Sequence, residues 1–246
     1  MNNKNQFKRV GIIGAMDIEL EILKNNLKPL QGETEVKKTE GGGLCFYTGL
    51  LNGVEAVLVK SGVGKVNAAL CVQRLVLEYN VSHIINTGIA GAMAAGLKVL
   101  DFVVSTDALY HDMDASGFGY KITEIPQMTC SDFKADDKML DAATITFAQM
   151  DEAKGHEMVA GRIASGDQFI SSREIKEKIK KICNPACVEM EGAAIAHASY
   201  VNKVPFLIIR CMSDMADDGH EEVYKFNEKT AADLSAALVM NMIDKF

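Results

Sequence analysis

The strongest constraint on this chain is an alternation: apolar runs of strand length are followed repeatedly by segments with apolar residues at helical spacing. Residues 9–14 read as a strand, and Asp17-Ile18-Glu19-Leu20-Glu21-Ile22-Leu23 continues as a helix. A strand at 54–60 passes through Ser61-Gly62-Val63-Gly64-Lys65 into a helix at 66–79, followed by strands at 83–88 and 100–109. Helices at 136–150, 173–181, 193–202 and 225–246 then alternate with strands at 158–163, 186–190 and 205–212. This order predicts an α/β fold, with a mostly parallel sheet covered by helices on both faces. Residues 34–51 are β-rich, with a break at Gly41-Gly42-Gly43. Leu51-Asn52-Gly53 lies between two alternating runs and marks a hairpin, so the central sheet is mixed. No linker or composition shift interrupts the pattern, and residues 1–246 are expected to form a single domain.

Composition removes several classes of function. The net charge is −7, with acids and bases interspersed, which argues against a surface built to neutralise nucleic acid. No apolar run reaches the length of a membrane span, and no secretory pattern precedes the first strand. The six cysteines (Cys45, Cys71, Cys130, Cys183, Cys187 and Cys211) are scattered without C-x-x-C spacing, as in a cytoplasmic protein with free thiols. The histidines His83, His111, His156, His197 and His220 show no metal-ligand spacing. Neither a metal nor an organic cofactor is expected.

Ligands of such sheets bind beyond the carboxyl ends of the strands. The residues expected there are Met16, Glu19, Val63, Ile89, Ala90, Gly91, Phe169, Ile170, Glu189, Met190, Glu191, Arg210, Ser213 and Asp214. Within Val188-Glu189-Met190-Glu191-Gly192, the two glutamates are expected to leave the same side of a strand. Glu191 falls at a helix start, where free N–H groups favour negative charge. The alternative is a strand end carrying solvated acids. The long segment 111–137, with Phe118 and Tyr120 inside it, reads as a functional or interfacial loop.

Eight ordered stretches resemble the 5′-methylthioadenosine/S-adenosylhomocysteine nucleosidases of the purine nucleoside phosphorylase-like superfamily. They are Gly11-Ile-Ile-Gly-Ala-Met16 with Glu19, Lys60-Ser-Gly-Val-Gly-Lys65, Asn86-Thr-Gly-Ile-Ala-Gly91, Phe118-Gly-Tyr120, Phe133-Lys-Ala-Asp-Asp137, Ser165-Gly-Asp-Gln-Phe-Ile170, Val188-Glu-Met-Glu191 and Arg210-Cys-Met-Ser-Asp214. The resemblance implies hydrolysis of an adenosine thioether to adenine and a 5-thioribose, in methionine salvage and the activated methyl cycle; 5′-deoxyadenosine is a further substrate to consider. By that resemblance Asp214 is the general acid at purine N7, Glu19 activates water, and Glu191 grips the ribose hydroxyls. Arg210 lies near the water and the acids. Phe169 stacks on the purine while the Ile170 main chain reads its edge. Met16, Val63, Met190 and Tyr224 wall the ribose and the 5′ arm; read without the family, such positions are more often core. Phe118 is lent by a neighbouring subunit, implying a homodimer.

Ile89 departs from the pattern, standing where many relatives carry Ser, in what reads as a turn after Asn86-Thr-Gly. The missing hydroxyl removes a contact to water or ribose. Tyr224 replaces a family Phe. Three alternatives stay open: a phosphorylase on the same fold, another purine nucleosidase, and a non-catalytic nucleoside-binding protein. Met16, Asp17 and Glu19 in the first turn and Asn86 further on disfavour phosphate, because a carboxylate repels it. Glu19 is expected in a wet pocket, so that Glu19→Gln would leave the fold intact.

Overall fold

The computed structural model describes residues 8–217 and 221–246, without the side chains of residues 221–224. The first half holds β1 (Arg9–Gly14), α1 (Asp17–Asn26), β2 (Lys37–Gly41), β3 (Leu44–Leu51), β4 (Val54–Lys60), α2 (Lys65–Tyr79), β5 (His83–Ala92) and β6 (Phe102–Tyr110). Then come β7 (Phe133–Lys134), α3 (Asp137–Phe147), β8 (Met158–Ser165), α4 (Arg173–Cys183), β9 (Cys187–Glu189), α5 (Gly192–Asn202), β10 (Phe206–Asp214) and α6 (Glu221–Met242).

The central strands β1 and β4 are largely buried apolar runs because both sheet faces are covered there, whereas β2 at the sheet edge is polar and largely exposed. In β1, Val10 and Ile12 join one core layer while Ile13 joins the other. β4 divides in the same way, with Ala56 and Leu58 on one side and Val57 and Val59 on the opposite side. This period of two places α1, α3 and α6 over one face and α2 and α5 over the other. The turn between β3 and β4 has Asn52 and Gly53 both at positive φ (47° and 80°), as a two-residue hairpin turn requires.

The sheet's mixed character extends beyond that hairpin. β1 runs parallel to β4 and β5, and β5 parallel to β10. β10, however, pairs antiparallel with β6, β6 runs parallel to β8, and β8 parallel to β9. β9 returns to β5 antiparallel through Gly91↔Val188 and Ala92↔Cys187, so β5, β10, β6, β8 and β9 form a closed ring. Only the C-terminal end of β5 overlaps there, against Cys187 and Val188 at the start of β9. That overlap brings strand ends of opposite direction to one place.

Several boundaries differ from the sequence reading. Ile89-Ala90-Gly91 belongs to β5 rather than to a turn, because these residues pair with β10 and β9. α6 spans Glu221–Met242 rather than 225–246. The 111–137 segment contains a single 3-10 turn at Ser116–Phe118 and the short β7.

Candidate active site

A cleft of about 600 Å³, its mouth included, opens at the ends of β1, β5, β9 and β10 and beside the loop after β8. Its wall contains Met16, Glu19, Val63, Ile89, Ala90, Gly91, Phe169, Ile170, Glu189, Met190, Glu191, Ser213 and Asp214. Ala15, Gln168 and Val188 also line it and were not singled out from sequence. Each neighbours a residue that was.

Glu19 lies in the first turn of α1 and lines the cleft, but it is only 2% exposed, more enclosed than the sequence suggested. Its carboxylate turns back on the strand end, where Oε2 accepts from the N–H groups of Ala15 (2.6 Å) and Met16 (3.0 Å). Oε1 accepts from the Ile89 N–H at 3.1 Å and lies 3.9 Å from Arg210 Nη1. Burial pushes the Glu19 carboxyl upward, and Arg210 and the three N–H donors oppose that shift. Gly88 is required beside them. A Cβ there would overlap the Glu19 carboxylate and the Arg210 guanidinium.

Arg210 is fully enclosed behind the cleft and does not line it. Nη2 donates to Asn86 Oδ1 (2.6 Å) and to Glu189 Oε2, and lies 3.7 Å from Glu191 Oε2. Nη1 reaches the Ile89 carbonyl at 3.5 Å. Burial acts against the cation, yet Glu189, Glu191 and Glu19 together hold it above its ordinary range. Asn86 is anchored in turn by donating to the Ile13 carbonyl at 2.9 Å. A lone amide inside the apolar run His83-Ile84-Ile85-Asn86 was the sequence signal for this partner.

The two glutamates of the 188–192 stretch do different work. Glu189 ends β9, and its carboxylate caps α5 by accepting from the N–H groups of Glu191 (3.1 Å) and Gly192 (2.7 Å). Ser165 Oγ donates to its other oxygen. Protein donors therefore occupy much of Glu189's capacity. Glu191 is the N-cap of α5, and its Oε1 accepts from the Gly64 N–H at 2.8 Å. Burial first, and the neighbouring Glu189 second, push Glu191 up to about 7.

Asp214 ends β10 and is buried. Oδ1 accepts from the Ala216 N–H and Oδ2 from Ser213 Oγ, both at 2.8 Å. Phe169 is half-exposed at the mouth beside buried Ile170. At Ile89 the main chain makes the polar contacts to Glu19 and Arg210, while the side chain packs with the core.

Phe118 stands apart from this cleft and is 89% exposed. The side chain of Tyr224, and His220 as a whole, lie outside the described residues. Among the described residues no group of three or more His, Cys, Asp or Glu side chains could hold a metal ion.

A closed α/β ring carrying four buried carboxylates and an aromatic at its mouth defines a class, and the family profile described as the Phosphorylase superfamily matches residues 9–244. A 5′-methylthioadenosine/S-adenosylhomocysteine nucleosidase from Colwellia psychrerythraea is 41% identical over 240 residues, covering 96% of this chain and 95% of that one. The solved structure of the Colwellia nucleosidase in complex with adenine superposes with a TM-score of 0.90 at 39% identity, covering 98% and 96% of the two chains. The Neisseria meningitidis nucleosidase in complex with methylthio-immucillin-A also gives 0.90, at 36% identity, covering 97% and 100%. The chain belongs to the 5′-methylthioadenosine/S-adenosylhomocysteine nucleosidase family.

Proposed function

We propose that this protein hydrolyses the N-glycosidic bond of 5′-methylthioadenosine and S-adenosylhomocysteine, releasing adenine and the corresponding 5-thioribose. The observation that carries the reading is the convergence of Glu19, Glu191 and Asp214 on one cleft with Phe169 at its mouth. Asp214, oriented by Ser213 and Ala216, gives a proton to purine N7. The C1′–N9 electron pair then leaves with adenine. Positive charge developing on the sugar is stabilised by the nearby carboxylates. Glu19, held by three backbone N–H groups, takes the proton of the water whose oxygen bonds to C1′. Glu191 is fixed through Oε1 by Gly64 and accepts from the ribose hydroxyls. Arg210 acts from behind, holding the three glutamates together without occupying the cleft.

Water is favoured over phosphate because no Lys or Arg among the described residues lines the cleft, and Arg210 is surrounded by Glu19, Glu189 and Glu191. The test is adenine release from methylthioadenosine in phosphate-free buffer and again with phosphate added. Release without phosphate, giving free methylthioribose, supports hydrolysis. Release only with phosphate, giving a sugar 1-phosphate, refutes it.

The same reading makes the protein a cytoplasmic homodimer in which Phe118 reaches the neighbouring cleft. Val66, Leu70 and Leu77 are exposed along one stripe of α2, and Val201 is exposed on the adjoining α5. Phe118→Ala should raise KM without moving Glu19 or Asp214, and sedimentation equilibrium should return twice the chain mass. A monomer of full activity would refute this part. No helix among the described residues is long and apolar enough to cross a membrane.

A further inference from the structure

Two carboxylates, Glu191 on the cleft wall and Asp167 just before Gln168 and Phe169, take hydrogen bonds from successive residues at the start of α2. The Gly64 N–H donates to Glu191 Oε1 at 2.8 Å, and the Lys65 N–H donates to Asp167 Oδ1 at 2.9 Å. These are N–H groups that a helix start leaves without intrahelical partners. Asp167 precedes Gln168, Phe169 and Ile170, so its contact ties the aromatic loop to the segment that orients Glu191. A third segment closes the arrangement. Asp112, just after β6, accepts from the Asp167 N–H at 3.1 Å and from Lys65 Nζ at 2.6 Å. Lys65 Nζ is also 3.7 Å from Asp167 Oδ2 and 5.4 Å from the Tyr110 ring centroid.

None of Lys65, Asp112 and Asp167 lines the cleft. Lys65 and Asp112 are each about three-quarters buried at the side chain, which shields this charge-assisted pair from full solvent screening. Gly64 fits where it does because its φ is +99° and Asp167 Oδ1 lies 3.2 Å from where a Cβ would stand. The loop after β8 is thus held at Asp167 by Lys65 and Asp112 and at Ile170 by packing in the core, while Phe169 itself is half-exposed.

We propose that Asp112, Lys65 and Asp167 are positioning residues that clasp the Phe169 loop to the start of α2, setting the purine-stacking ring and the ribose-gripping Glu191 in register. The inference rests on the nucleosidase reading of the cleft. The clasp acts on binding of the purine and not on proton transfer, since Glu19 and Asp214 are held by other donors.

The test uses the full chain with Asp112→Ala, Lys65→Met and Lys65→Arg. Free adenine is titrated by calorimetry, and methylthioadenosine turnover is followed by adenine release. In Asp112→Ala and Lys65→Met, adenine Kd and thioether KM should both rise about ten-fold, as loss of one charge-assisted contact implies. kcat should stay within about three-fold of wild type. Lys65→Arg, which keeps the cation, should restore most of the affinity. Unchanged Kd and KM in folded variants would overturn the proposal. So would a lower melting temperature with unaltered kinetics, which marks a merely structural contact, or a fall in kcat alone. If Asp112→Ala fails to fold, the Lys65→Met and Lys65→Arg pair decides. Wild-type protein that releases no adenine counts against the nucleosidase reading, whereas the adenine Kd of the variants still decides the clasp.

Discussion

Gly88→Ala tests whether the Glu19–Arg210 arrangement is as rigid as its hydrogen bonds imply. The new Cβ would lie 2.8 Å from Glu19 Cδ and closer still to the carboxylate oxygen and to Arg210 Nη1. Neither neighbour is a free side-chain end. Glu19 is tied to three N–H groups, and Arg210 to Asn86 and Glu189. Relief requires Glu19 to leave its donors or β5 to shift against β10. Overpacking of this kind, with buried charge disturbed, costs about 2–4 kcal/mol, which lowers Tm by roughly 5–15 °C in a chain of this size. If Glu19 activates water as proposed, displacing its carboxylate by about 1 Å should reduce kcat/KM by about a hundred-fold or more. Gly11→Ala is the contrast, since its Cβ meets the methyl ends of Leu75 and Ile84 at 3.0 and 3.1 Å, away from the cleft. It should lower Tm while leaving kcat/KM near wild type. Thermal melts and adenine-release kinetics on both variants decide the matter. A Gly88→Ala enzyme within about ten-fold of wild-type kcat/KM would refute the argument that this site is rigid.

Asp214→Asn should abolish turnover while adenine still binds within about ten-fold of wild type, measured by calorimetry; retained turnover removes Asp214 as the acid. Glu19→Gln should remove hydrolysis and also lower Tm by several degrees, because an amide NH₂ must face an N–H donor that the carboxylate accepted. An unchanged Tm would show that the side chain can leave its donors freely. Glu191 is raised from 4.5 to about 7, so the unfolded chain loses its proton first as pH rises. Its contribution to stability is therefore full below about 4.5 and lost as pH climbs through about 7. Wild-type Tm should show that decline, and Glu191→Gln should flatten it; parallel profiles for the two proteins would contradict the assignment.

Corrections to the sequence reading come from closure of the sheet. An alternating pattern predicts strands and their neighbours but not that β9 returns antiparallel to the C-terminal end of β5. Pairing with β10, joined at Gly91 by β9, makes Ile89-Ala90-Gly91 strand rather than turn, and the Ile89 N–H there donates to Glu19. Glu189 shows the same limit. Two glutamates two apart on a strand look equivalent in sequence, but the chain leaves the strand after Glu189; both line the cleft, yet the Glu189 carboxylate caps α5 while that of Glu191 is held by Gly64.

The class of fold and most of the cleft wall were legible in the order of residues alone. Apolar period and turn chemistry are local properties, and an α/β sheet places its strand ends together wherever they fall along the chain. Glu19, Glu191, Asp214 and Phe169 could therefore be named as a group. The tertiary structure alone decided how these groups are charged and held. Burial of Glu19, the siting of Arg210 behind the cleft, and the Lys65–Asp112–Asp167 clasp join residues 40 or more positions apart. Desolvation and hydrogen bonding depend on which atoms surround a group in space, and no spacing along the chain encodes that.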